Sequence, residues 1–206
     1  MTRLVPLSLL LALVLAGCAP SALPIPDALG TDGVTTAAAE ATIRSWPEKS
    51  REVAQEAIEM YGTPNEIASG RLIWHEVGPW KRVIAYREVV DHHFPAPHPD
   101  VLEGVIDYPI DPDRVSELAN FTGSLYVDRT RGEMSAKCDV EGANFLSINL
   151  GHDIMTGRRT AEEARAFYTE AMKQMKDGNP PPYTQGFQFD LPRRNTADPD
   201  EPTMEM

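Results

Sequence analysis

The amino-acid sequence predicts an α+β fold: an antiparallel sheet of about four strands with helices packed on one face. Two observations predict it. Short stretches rich in β-branched and aromatic residues are joined by turns too tight for a crossover helix, and the elements run α, β, β, β, α, β, α, α rather than in regular strand–helix alternation.

Each element has its own signal. Ser45-Trp46-Pro47-Glu48 has capping-box spacing, and Trp46, Val53, Ala57, Ile58 and Tyr61 form a helical stripe that Gly62 and Pro64 stop. Residues 71–77 and 81–88 read as two strands joined at Gly78-Pro79-Trp80, and residues 101–108 as a third. Asp111-Pro112 opens a short helix through Ala119, with aspartate as cap and proline at the first helical position. Leu125, Val127, Arg129 and Arg131 alternate with Tyr126, Asp128 and Thr130, which makes residues 124–131 a fourth strand. Residues 139–156 carry Leu146, Leu150 and Ile154 at helical spacing, and Gly157 ends that helix. Thr160-x-x-Glu163 caps the next, whose stripe is Ala164, Phe167, Tyr168, Ala171 and Met175.

The ends differ in kind from this body. Arg3 followed by an apolar run over residues 4–16 is a signal-peptide pattern, too short for the roughly 20 apolar residues of a permanent span. The run closes on Leu15-Ala16-Gly17-Cys18, which resembles the lipobox of bacterial lipoproteins. That resemblance implies cleavage after Gly17 and acyl chains on Cys18 that anchor the chain to a membrane. Ala19 rather than aspartate at the next position implies, by the same resemblance, the outer membrane facing the periplasm. The domain expectation is therefore 1–17 signal peptide, 18–44 lipidated cysteine and flexible tether, 45–183 a single α+β domain, and 184–206 a largely disordered tail. The central stretch from Trp74-His75-Glu76-Val77-Gly78-Pro79-Trp80 through Thr130-Arg131-Gly132-Glu133 resembles bacterial proteins with no assigned activity.

Composition narrows the function. A formal net charge of −12 disfavours nucleic acid or an anionic lipid surface as the main partner. With Cys18 acylated, Cys138 has no partner for an intramolecular disulfide, and as a free cysteine it reads as a small buried residue. No G-x-S-x-G, H-E-x-x-H, C-x-x-C, P-loop or dinucleotide fingerprint occurs.

Three clusters hold candidate chemistry. Asp91-His92-His93-Phe94-Pro95-Ala96-Pro97-His98-Pro99-Asp100 gathers three of the five histidines. Its prolines favour an extended conformation rising about 3.1 Å per residue, which sets His92 and His98 roughly 19 Å apart. On that geometry the loop holds no metal from its own residues, and a site needs ligands such as Glu103, His152 or Asp153; the expectation is no metal and no cofactor. His152-Asp153, with Asn149 and Asn144 one and two turns back, forms a polar helical stripe that either builds a site or locks the helix to the sheet. Arg129 and Arg131 offer two guanidinium groups for a ligand carboxylate or phosphate, or for an internal ion pair. The favoured reading is a membrane-anchored envelope lipoprotein with a non-catalytic domain that binds an envelope protein or a cell-wall component. The alternative is an enzyme or metal-dependent ligand-binding module built around His98, His152, Asp153 and Arg131.

Overall fold

The computed structural model describes residues 34–205; the expected signal peptide, the expected lipidation site at Cys18 and the first part of the expected tether fall outside them. The fold is α+β, a six-stranded antiparallel sheet with five helices packed against it. In chain order these are α1 (Thr36–Ile43), α2 (Glu48–Tyr61), β1 (Glu66–Ala68), β2 (Arg71–Val77), β3 (Trp80–His92), β4 (His98–Asp107), α3 (Val115–Phe121), β5 (Leu125–Asp128), β6 (Glu133–Cys138), α4 (Glu141–Met155) and α5 (Ala161–Lys176). Short 3-10 turns at Pro112–Arg114 and Pro182–Thr184 precede α3 and follow α5. The strands lie in the order β1-β2-β3-β4-β6-β5.

The sheet exceeds the expected four strands by two. β1 has only three residues. β6, Glu-Met-Ser-Ala-Lys-Cys, contains no β-branched or aromatic residue, yet it sits between β4 and β5 and is almost wholly buried. Position in the sheet, not propensity, makes it a strand. The fourth expected strand ends early as β5, because the Asp128 carboxylate accepts from Arg131 N at 2.9 Å and Gly132 takes φ +66°, turning the chain into β6.

Two boundaries also move. Residues 36–43 are helix, not tether: the Thr35 hydroxyl accepts from Ala38 N at 3.1 Å, the alanine-rich segment has high helical propensity, and Ala39 and Ile43 are buried. The segment after residue 184 lies on the body. Asn149 donates to the carbonyls of Tyr183 and Gly186 at 3.0 and 2.9 Å and accepts from Gln188 N at 2.7 Å, while Phe187, Phe189 and Leu191 pack against the core. Of the two expected capping boxes, Thr160–Glu163 forms. Ser45–Glu48 does not, because Pro47 occupies the N-cap of α2 and offers no side-chain acceptor.

One set of alternating sheet positions, Leu72, Trp74, Val83, Ala85, Leu102, Ile106, Met134 and Ala136, joins the core with Val53, Ala57, Leu146, Leu150, Ile154 and Ala164 from the helices. Each leucine- or isoleucine-sized side chain fully buried there contributes about 1.5 to 3 kcal/mol. The alternate positions carry a charged ladder instead: Arg82 grips Glu133 at 2.6 and 3.1 Å and Tyr86 donates to Glu103 at 2.6 Å, while Lys81, beside Arg82 at the start of β3, reaches Asp107 at 2.5 Å and Glu133 at 3.0 Å. Between Ala85 and Val90 the β3–β4 register shifts, and beyond that irregularity the two strands pair again as Val90↔Asp100, Asp91↔Pro99 and His92↔His98. This short second ladder positions the site.

Candidate functional site

β3 ends at His92 and β4 begins at His98, so the proline-rich segment between them is the turn of a hairpin. Ladder partners place their side chains on the same face, and Asp100, two residues along β4, shares the face with His98. The 19 Å separation expected from an extended conformation is therefore wrong: His92 Nδ1 stands 3.3 Å from His98 Nε2. Tertiary packing overrides the local preference of the prolines. Phe94 turns inward, its ring centroid 5.2 Å from that of Tyr168 with the Arg165 guanidinium 3.8 Å above it, and this anchors the turn to α5. The sequence held a signal for the closure. The strands expected at 81–88 and 101–108, each extended to its nearer histidine, leave a five-residue hairpin loop.

Asp100 Oδ1 lies 3.5 Å from His98 Nε2 and 3.7 Å from His92 Nδ1. It is buried and, among the described residues, has no hydrogen-bond partner. The other carboxylate oxygen accepts a short hydrogen bond from the Ser124 hydroxyl. His98 Nδ1 donates to the Ala96 carbonyl at 2.8 Å, which leaves Nε2 as the ring atom directed at the carboxylate. Thr122 Oγ1 lies 3.4 Å from His92 Nε2 and Ser124 Oγ 3.1 Å from His92 Nδ1. The two histidines titrate in opposite directions. The Asp100 carboxylate, and then the Cys138 thiol, push His98 up to about 11 against its burial. Burial holds His92 below the usual histidine range although Asp100 opposes it.

Beside this group a cavity of about 480 Å³ opens between the β3–β4 turn and α5. His98 and Cys138 face it, Val140, Met172 and Met175 supply apolar wall, and the exposed Lys173 and Lys176 stand at its mouth. Cys138 is a buried free thiol, as expected, and donates to Asp139 Oδ1 at 3.6 Å.

The other residues singled out in the sequence do not come here. His152 lies beyond the far end of β4: its Nδ1 is 2.8 Å from the hydroxyl of Tyr108, which follows that strand, so about 30 Å of strand separates it from His98. Its ring stacks on Phe189 with centroids 4.0 Å apart. Burial and Arg158 hold His152 below the usual histidine range. Asp153 is buried and accepts from Arg159 Nε at 2.8 Å and from the Tyr183 hydroxyl at 3.0 Å. The polar stripe of α4 is thus a lock: Asn144 donates to the Leu102 carbonyl of β4 at 3.0 Å, and Asn149 holds the C-terminal segment. Arg129 and Arg131 lie in the β5–β6 turn. Arg129 binds the chain's own Asp198 at 2.5 Å and Asp200, whereas Arg131 is exposed with Asp128 at 3.7 Å. Glu103 belongs to the charged ladder with Tyr86 and Lys137. Asp100, one of the two carboxylates of the histidine-rich decapeptide but not one of the expected ligand-binding residues, completes the histidine pair.

Fold and site together define an α+β domain with a two-histidine, one-carboxylate cluster at one end of its sheet and an adjoining cavity. No protein-family model, curated protein or solved structure matches the chain.

Proposed function

We propose that this chain is a lipid-anchored protein of the bacterial envelope, attached through Cys18, and that its folded body is a non-catalytic binding module.

 The anchor reading rests on Leu15-Ala16-Gly17-Cys18 alone, which lies outside the described residues; among those described, no helix is long and apolar enough to cross a membrane. The binding reading rests on one observation, the cavity beside His98, whose walls are apolar and whose mouth carries two lysines. Such a cavity suits a ligand with an apolar body and a single anionic group, the chemistry of an acyl chain ending in a carboxylate. The non-catalytic reading draws support from dispersion: His98, His152, Asp153 and Arg131, the constellation of the enzymatic alternative, sit in three separate environments.

Titration of the purified chain with laurate, followed by intrinsic fluorescence or calorimetry, tests the binding reading. Saturable binding is expected, abolished by Ala96→Trp, which fills the cavity, and weakened about tenfold by Lys173→Glu combined with Lys176→Glu. Absence of saturable binding, or binding that ignores these substitutions, would contradict it.

A further inference from the structure

We propose that His92, His98 and Asp100 form a binding site for a divalent transition-metal ion, held through His92 Nδ1, His98 Nε2 and Asp100 Oδ1. The inference goes beyond the cavity ligand and does not depend on it.

Geometry carries the argument. Around a tetrahedral ion with ligand bonds of about 2.0 to 2.2 Å, neighbouring ligand atoms stand about 3.3 to 3.6 Å apart. The three atoms here are separated by 3.3, 3.5 and 3.7 Å. They are also the group of histidine, cysteine and carboxylate side chains that satisfies mutual proximity among the described residues. A bound ion needs no rearrangement of the backbone to enter such a triangle.

The second observation is the orphaned carboxylate oxygen. Asp100 is only 5% exposed, yet its Oδ1 has no hydrogen-bond partner among the described residues and points at the two imidazole nitrogens. A buried, unpaired acceptor is costly, and a cation coordinated there removes that cost. The outer partners are those a metal site requires. His98 Nδ1–H donates to the Ala96 carbonyl, Thr122 Oγ1 stands 3.4 Å from His92 Nε2, and Ser124, which holds Asp100 Oδ2, also lies 3.1 Å from His92 Nδ1, so the three ligand atoms are oriented towards one another and a bound ion takes the place of the proton on His98 Nε2. Two imidazoles and one carboxylate favour zinc and its first-row neighbours over magnesium or calcium, which prefer all-oxygen shells.

The experiment uses the full chain purified in detergent, with zinc ion as the probe and no organic ligand present. After dialysis against a weak chelator, elemental analysis is expected to find one equivalent of zinc. A competition titration is expected to show binding weakened at least about tenfold by His92→Ala, His98→Ala or Asp100→Asn, with His93→Ala unchanged. Zinc, but not magnesium or calcium, should raise the melting temperature of the unsubstituted chain. That measurement decides the matter even for a variant that fails to fold. No retained zinc, a melting temperature indifferent to zinc, or full affinity in folded His98→Ala and Asp100→Asn would overturn the proposal. Because laurate is absent, failure here leaves the cavity reading standing, and failure of the laurate titration leaves this one standing.

Discussion

Gly104→Ala is expected to destabilise the protein although it adds one methyl group. Gly104 lies in β4 under the ring of Trp80, and a Cβ built there would come within 2.5 Å of Trp80 Cζ3 and 2.8 Å of Cε3 and Cη2. The ring cannot yield cheaply. It stacks on Phe145 at 4.7 Å, meets the edge of Phe187 at 5.1 Å, and donates Nε1–H to Glu141 at 2.8 Å. Overpacking a full core costs about 1 to 3 kcal/mol, and loss of a hydrogen bond to a charged acceptor about 1.5 to 3. The reduced freedom of the unfolded chain returns about 0.4 to 1 kcal/mol. The net is a loss of about 1.5 to 5.5 kcal/mol, and at about 2 to 4 °C per kcal/mol for a chain of this size the melting temperature falls by about 3 to 22 °C. Thermal melts followed by far-UV circular dichroism measure the fall, and near-UV spectra report the displaced indole. Gly70→Ala, whose added methyl meets nothing within 4 Å, is the control. Equal melting temperatures and near-UV spectra for Gly104→Ala and the unsubstituted chain would refute the packing argument.

Two further outcomes are expected. Cys18→Ala should release the chain from the membrane fraction or leave it as uncleaved precursor; unchanged mass and unchanged partition into the detergent phase would contradict the lipid anchor. His152, depressed in the folded state by burial, binds its proton more readily in the unfolded chain, so stability from this group is present above about pH 6.5 and declines as the pH falls from there towards its lower folded value. The difference in melting temperature between the unsubstituted chain and His152→Gln, recorded from pH 8 to 5, should narrow on acidification; a difference that stays constant or widens would contradict the assignment.

Much of the fold was legible because its signals are local. The strand expected at 71–77 coincides with β2, and Thr160 with Glu163 caps α5. β6 was illegible because its residues carry no strand propensity and acquire that state from neighbours β4 and β5. α1 and the segment after Thr184 were read as unstructured because their few apolar residues, such as Ile43, Phe187 and Phe189, are anchors supplied with partners by distant parts of the chain. The site failed for a related reason. The decapeptide ending at Asp100 holds all three side chains, but its prolines alone imply an extended segment, while the pairing of His92 with His98 and the inward turn of Phe94 depend on β3, β4 and α5 together.

Diffraction at the zinc absorption edge, from crystals grown with one equivalent of zinc, tests the central claim most directly. The account predicts one anomalous peak within about 2.0 to 2.2 Å of His92 Nδ1, His98 Nε2 and Asp100 Oδ1. A peak ligated by other residues, or no peak with the three side chains as close as they are here, would contradict it.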